Sequence, residues 1–253
     1  GKNLLYPIDF RRPPSFTTID VDGRRQTLGG DPKKVTRPLR IENGSLAISF
    51  RYGYIEVVQR LSIGTNPYTG RPDSVRVAYE FKNRDSDLHS VGLRVMLDTG
   101  LGADDGADFF VPGIGAIGAE REIRAETIPA TWTLEDAASP PKIRGMATLK
   151  SKGMIAPDKM IFANQKSLVS TIWDWAIEEG KPFMRNFSAT KPDNGVGIFY
   201  NRIPIFPRST LTISLYYGVW GPPKPTGPPF LLSASYPHTV RAGTAVTVLL
   251  DVE

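Results

Sequence analysis

From Leu46 onward, stretches appear in which apolar residues recur at every second position. Leu46, Ile48 and Phe50 alternate with small or polar residues, and Tyr54 to Ile63 continues the pattern beyond Tyr52-Gly53. A period of two is that of a strand with one face turned toward a core. The clearest case is Ser74 to Asn83, where Val75, Val77, Tyr79 and Phe81 share one side while Arg76, Ala78, Glu80 and Lys82 share the other. This predicts one buried face and one wet face. Asn83 to His89 reads as a polar turn, after which Val91, Leu93, Val95 and Leu97 resume the alternation, so the two strands are expected to form an antiparallel hairpin. Further strands are predicted at Ala147 to Lys150, Met160 to Ala163, Gly195 to Tyr200 and Thr210 to Val219.

Helical patterns are scarce. Ala119 to Glu126 has helical composition but meets Pro129, which limits a helix there to about two turns, and Leu168 to Glu179 accommodates another short one. Strands in runs, without alternating helices, predict an all-β class: a large two-sheet antiparallel β-sandwich over residues 41–220. Gly1 to Arg40, rich in Pro, Arg and Gly, is expected to be an extended basic arm with a hairpin around Val21-Asp22-Gly23-Arg24, where Asp-Gly supplies the positive φ of a tight turn. Residues 221–229, Gly-Pro-Pro-Lys-Pro-Thr-Gly-Pro-Pro, form a stiff linker. Beyond it, Leu231 to Tyr236 and Thr244 to Val252 read as two strands, resembling the opening of an immunoglobulin-like module truncated before its sheet closes over 230–253.

Composition changes this picture in three ways. A chain of 253 residues, 40% hydrophobic and 23% charged, can bury a sizeable core, and 22 prolines with 24 glycines suit many turns between short strands. The net charge of +5 lies in Gly1 to Arg40, which holds nine Lys and Arg against four Asp and Glu, while the remainder is neutral. Pairs such as Arg11-Arg12, Arg24-Arg25 and Lys33-Lys34 lack interleaved aromatics or a recognition motif, so a solvated or envelope-facing arm is expected and a nucleic-acid partner is not. Zero cysteines exclude disulfides, thiolate metal sites and a Cys nucleophile. No run approaches the ~18 apolar residues of a membrane-spanning helix, which argues against an integral membrane protein.

Gly113-Ile114-Gly115-Ala116-Ile117-Gly118 matches the dinucleotide fingerprint, but the following Ala119 to Glu126 has one large apolar residue and then stops. Without an amphipathic helix and βαβ repeats the glycines read as a loop or strand bend, and no cofactor is expected. A second pattern is acidic. A strand delivers Asp98, and a glycine-rich loop then presents Asp104, Asp105 and Asp108. Carboxylates on such a loop suit a hard cation such as Ca²⁺, although Asp-Asp-Gly serves an ordinary turn equally well and EF-hand spacing is absent. A third is aromatic. Trp173 and Trp175 flank Asp174 at strand spacing, so both indoles share one face if the segment is extended. With Trp132 they offer either a sugar platform or core packing.

The run GLRVMLDTGLGADDGADF (92–109), with Val111-Pro112-Gly113, Phe162-Ala163-Asn164 and Trp173-Asp174-Trp175, resembles a family of predicted exported bacterial β-sandwich proteins of unassigned activity, over roughly Ser74 to Gly218. More loosely, the domain is similar to the supersandwich shared by galactose mutarotases and the last domain of large β-galactosidases. That likeness implies the fold and sugar contact. It does not carry over the catalytic part, because mutarotases depend on paired histidines with a glutamate base and this chain offers only His89, in a polar turn, and His238, in the C-terminal segment. A Ser-His-Asp triad is starved for the same reason, while a pair of glycosidase carboxylates remains open among 26 acidic residues. The expectation is a non-catalytic binding or structural module of a larger exported or cell-envelope protein, with a glycan or another envelope protein as partner. Carbohydrate binding or processing, and protein assembly through sheet edges, are the rival readings.

Overall fold

A computed structural model describes residues 15–101, 106–136, 143–183 and 193–221, together with the backbone of 232–235 and 249–252. The chain divides into two compact units, Gly1–Pro222 and Pro223–Glu253. Strands are numbered along the chain: β1 (Phe16–Val21), β2 (Arg24–Thr27), β3 (Val35–Glu42), β4 (Ser45–Tyr52), β5 (Ile55–Gly64), β6 (Ser74–Asn83), β7 (His89–Asp98), β8 (Asp108–Val111), β9 (Gly115–Ile117), β10 (Arg121–Arg124), β11 (Thr131–Glu135), β12 (Arg144–Thr148) and β13 (Lys159–Asn164). A single helical turn and a half, α1 (Gln165–Val169), precedes β14 (Asn194–Ile205) and β15 (Thr210–Val219). In the C-terminal unit β16 (Leu232–Ser235) pairs antiparallel with β17 (Leu249–Val252), and the rest of the expected immunoglobulin-like segment lies outside the described residues.

The larger unit is nearly all β, as the period-two pattern predicts. Its strands form a six-stranded sheet in the order β10-β13-β14-β7-β1-β2 and a nine-stranded sheet in the order β3-β4-β5-β6-β15-β12-β11-β8-β9. All their pairings are antiparallel. The core lies between the sheets. Ile19, Val91, Leu93, Val95, Val196, Ile198 and Phe162 come from one side, and Phe50, Val57, Tyr79, Phe81, Ile213, Leu215 and Trp132 from the other.

Four expectations are corrected. β6 and β7 do not pair with each other: β6 lies between β5 and β15, whereas β7 lies between β14 and β1. The turn after Asn83 therefore crosses from one sheet to the other. Local alternation is the same in a hairpin and in such an arch, so the pattern could not separate them. Residues 119–126, expected as a helix, form β10 and one 3-10 turn (Ala125–Thr127), because Arg121–Arg124 complete the open edge of β13. The second expected helix shrinks to α1, and the chain beyond it passes through a turn and bends without regular structure. Finally, the described residues before Arg40 are not an arm. β1 sits inside the six-stranded sheet with Ile19 fully buried, and Thr17 Oγ1 meets Tyr79 Oη across the core at 2.7 Å. Its threonines made this strand look polar.

The Asp22-Gly23 hairpin forms with φ of 52° and 86°, and Asn43-Gly44 repeats the device between β3 and β4 with 51° and 72°. Gly113 and Gly115, both at positive φ, turn β8 into β9, so the fingerprint-like glycines close a hairpin.

Candidate functional sites

β7 is buried on both faces from Val91 to Asp98. Its inner phase faces the core; its outer phase, Gly92, Arg94 and Met96, is roofed by α1 and the irregular residues after it. Glycines make room for this strap. A Cβ on Gly92 would stand 3.2 Å from the Trp173 ring, and one on Gly195 would stand 3.1 Å from Leu168. Arg94, fully buried, fastens the strap from below. Its Nη1 donates to the Thr171 carbonyl and its Nη2 to the Leu168 carbonyl, each at 2.6 Å. The guanidinium also lies 5.5 Å from the Phe16 ring centroid and 5.3 Å from that of Phe199. Burial pushes its pKa down to about 10, partly offset by the Asp174 charge. Both acceptors are near the C-terminal end of α1, where free carbonyls carry partial negative charge.

The tryptophan motif belongs to this strap. Inward and outward positions alternate from 171 to 178, and Trp173 and Trp175 both turn toward the sheet. Trp173 is buried over Gly92, with the Arg25 guanidinium 4.7 Å above its ring and Phe199 at its edge. Trp175 is half-buried against Met96, Ile161, Ala163, Leu168 and Phe199. Asp174 points outward to Lys159 Nζ at 2.6 Å. Trp132 is elsewhere, fully buried in the core among Phe109, Phe162 and Tyr217. The structure thus brings Trp173, Asp174 and Trp175 together and places Trp132 on the other sheet.

Of the acidic residues, Asp98 ends β7 and is buried, its backbone N–H donating to Ser15 Oγ at 2.9 Å. Asp108 opens β8 and is exposed. Asp104 and Asp105 lie outside the described residues. Among the described residues no three His, Asp or Glu side chains are grouped so as to hold a metal ion.

His89 has both ring nitrogens engaged by carboxylates. Nδ1 is 2.6 Å from Asp22 and Nε2 is 3.1 Å from Asp85, and Asp22 accepts in addition from the Ser90 N–H and hydroxyl. The hydrogen bonds to Asp22 and then Asp85 hold its pKa above the usual histidine value. A doubly engaged imidazolium is a staple between turns, with no nitrogen free to take a substrate proton. His238 lies outside the described residues.

Two surfaces escaped sequence reasoning. An open cleft of about 380 Å³ lies between the β8–β9 turn and β10, lined by Pro112, Ile114, Arg121, Glu122, Ile123 and Thr127. The second is apolar. The inner face of the nine-stranded sheet continues past the core at the β3-β4-β5 corner. There Ile41, Leu46 and Leu61 form one cross-strand row and Ile63 the start of the next, and Ile41 and Ile63 are 80% and 74% exposed. Alternation marked Leu46 and Ile63 as core-facing; it could not reveal that the opposing sheet ends before it reaches them.

These features define a class, a two-sheet antiparallel β-sandwich with a roofed smaller sheet and an overhanging larger one. No family model matches the sequence, and neither does any curated protein. Among solved structures the chain is similar to a mutant of the heparan sulfate lyase HepC from Pedobacter heparinus, with TM-score 0.33 and 9% identity over 85% of this chain. It spans about a quarter (26%) of the length of that enzyme. It is also similar to a galactose mutarotase related enzyme from Lactobacillus acidophilus, with TM-score 0.37 and 8% identity over 75% of this chain and 71% of the other.

Proposed function

We propose that this chain is a non-catalytic binding or structural module of a larger exported bacterial envelope protein. The observation that carries the reading is the overhang of the nine-stranded sheet. Ile41, Leu46 and Ile63 make an apolar surface without an acid or base among them, which suits contact with a partner and not bond-making chemistry. The state of His89 agrees, since carboxylates occupy both of its nitrogens. The proline-rich spacer before a second strand pair fits tandem modules of the kind found in exported proteins.

Two measurements test this. Anomer exchange of galactose, followed by NMR with the full chain present, is expected to run at the spontaneous rate; acceleration overturns the non-catalytic reading. Ile41→Asp and Ile63→Asp are expected to leave the melting temperature within a few degrees, because contact residues contribute little to the isolated fold. A collapse in stability would make these residues part of the core and remove the contact surface.

A further inference from the structure

At one end of the sandwich four turns meet: the β1–β2 turn at Asp22-Gly23, the β4–β5 turn at Gly53-Tyr54, the inter-sheet segment 84–88 and the β14–β15 turn at 206–209. They are bonded into one surface. Asn83 Nδ2 donates to the carbonyls of Asp87, Ile205 and Phe206 at 2.7, 3.1 and 3.2 Å. The Arg84 N–H donates to the Tyr54 carbonyl, Arg208 Nη1 donates to the Arg84 carbonyl, and His89 ties Asp22 to Asp85.

This rigid end displays three large apolar side chains on three different turns. Tyr54, Leu88 and Phe206 are 61%, 58% and 68% exposed. Arg24, Arg51, Arg84, Arg202 and Arg208 stand around them, all exposed. The carboxylates are arranged differently. Asp22 and Asp87 are exposed, but Glu56 and Asp85 are recessed, with side chains 14% and 19% accessible, and are spent on Arg84 and His89. The outermost charge is therefore positive.

The geometry points to this end as a docking site for an anionic lipid surface, with Tyr54, Leu88 and Phe206 entering the headgroup region and the arginines pairing with lipid phosphates. Apolar groups on the tips of separate turns offer no groove for a peptide, whereas a flat, deformable interface receives all three at once. Tyrosine and phenylalanine settle at headgroup depth, and each cationic side chain near the surface adds attraction to acidic lipids. The inference rests on reading the chain as a contact module and names the partner of one surface.

Cosedimentation of the full chain with vesicles tests it, using phosphatidylcholine alone or with about one-third phosphatidylglycerol. Binding is expected to the mixed vesicles, weakening as salt is raised. The combination Tyr54→Ser, Leu88→Ser and Phe206→Ser is expected to lower the partition about tenfold or more. That variant keeps every basic residue of the N-terminal segment, so residual binding measures nonspecific attraction. Arg24→Gln with Arg202→Gln is expected to cost about thirtyfold. Melting curves report folding, and Phe206→Ser alone serves if the triple variant does not fold. No binding to mixed vesicles, equal binding to both kinds, or binding unchanged by loss of the three tips overturns the proposal. So does self-association that the triple variant abolishes, which assigns the end to a second protein chain. Sugar turnover is a separate readout and bears only on the contact-module reading.

Discussion

The two sheets hide their outer faces by different physics. On the six-stranded sheet, the outer phase of β7 and β14 runs Gly92, Arg94 and Met96 beside Gly195, Gly197 and Phe199, and a strap of the chain's own residues lies over it. On the nine-stranded sheet, the outer phase holds Ala47, Ser49, Val58 and Ala78, all buried beneath a ladder of long charged side chains. Arg40 and Arg60 share Glu42 at 3.0 and 2.8 Å, Arg60 reaches Glu80 at 2.7 Å, and Lys82 reaches the other oxygen of Glu80 at 3.3 Å. Small residues under long stems keep water from that backbone at little cost in desolvated charge. An arginine in the polar phase of a strand therefore means opposite things on the two sheets. Arg60 is a rung in solvent, and Arg94 is an anchor under a roof.

The largest expected effect is at that anchor. Arg94→Ala removes two charge-assisted bonds, strands the carbonyls of Leu168 and Thr171, and leaves a cavity between strap and sheet. Unfolding in urea is expected to show a loss of about 3–5 kcal/mol, from two charge-assisted bonds at about 1.5–3 kcal/mol each together with the cavity. Amide exchange of residues 165–177 should rise more than that of β6. Arg94→Met, which keeps volume and removes the charge, is expected to lose less. Equal losses in both variants would mean that the two hydrogen bonds alone hold the roof and the side-chain volume adds nothing.

Gly92→Val probes the same roof from the sheet. Its first added atom would meet the Tyr200 carbonyl at 3.1 Å and the Trp173 ring at 3.2 Å, and the further methyls have nowhere to go. A loss of about 1–3 kcal/mol is expected, as for overpacking elsewhere, together with a change in tryptophan fluorescence. A variant as stable as the parent would show that the strap yields freely, and the contrast between the sheets would shrink.

Much of this contrast was present in the sequence but unreadable there. The strands themselves were legible, because Val75 to Phe81 and Val91 to Leu97 alternate cleanly and burial of one face demands it. Their assignment to different sheets was not, since pairing is decided by partners distant in sequence: β6 by β15 and β7 by β14 and β1. The spacing of Trp173 and Trp175 correctly implied a shared face if the segment was extended. Only tertiary structure shows that the face looks inward, over Gly92 and beneath Arg25. Arg94 escaped notice because a charged residue in the polar phase reads as solvated. Glycine and methionine on either side of it were the available sign that this phase, too, was covered.

Arg60→Ala tests the other half of the comparison. Both partners of Arg60 are partly open to water, with side chains 35% and 22% accessible, so the ladder gains little from Coulomb attraction. The expected cost is under about 1 kcal/mol, reduced further in high salt. A loss approaching that of Arg94→Ala would show that the ladder, not the small residues beneath it, seals the larger sheet.

The smallest effect lies where the sheets are joined. His89 clips the β1–β2 turn of the six-stranded sheet, through Asp22, to the segment leaving β6 of the nine-stranded sheet, through Asp85. Its pKa is raised from 6.5, first by the Asp22 hydrogen bond and then by that of Asp85. Its contribution is therefore complete below pH 6.5 and fades as pH rises through the higher folded value. Asp85 is lowered from 3.8 chiefly by the His89 hydrogen bond, and at Asp22 burial pushes upward but the bonds from His89 and the Ser90 N–H prevail. The carboxylate contribution is complete above pH 3.8 and fades as pH falls through the lower folded values. Both are at full strength only between about pH 3.8 and 6.5, so melting temperature should carry a shallow maximum there. His89→Gln should flatten the alkaline side of that maximum while leaving the Arg94 anchor intact. An unchanged alkaline limb in the variant would mean that the two turns are held by Asn83 and the backbone alone, with the imidazolium contributing nothing to the joint.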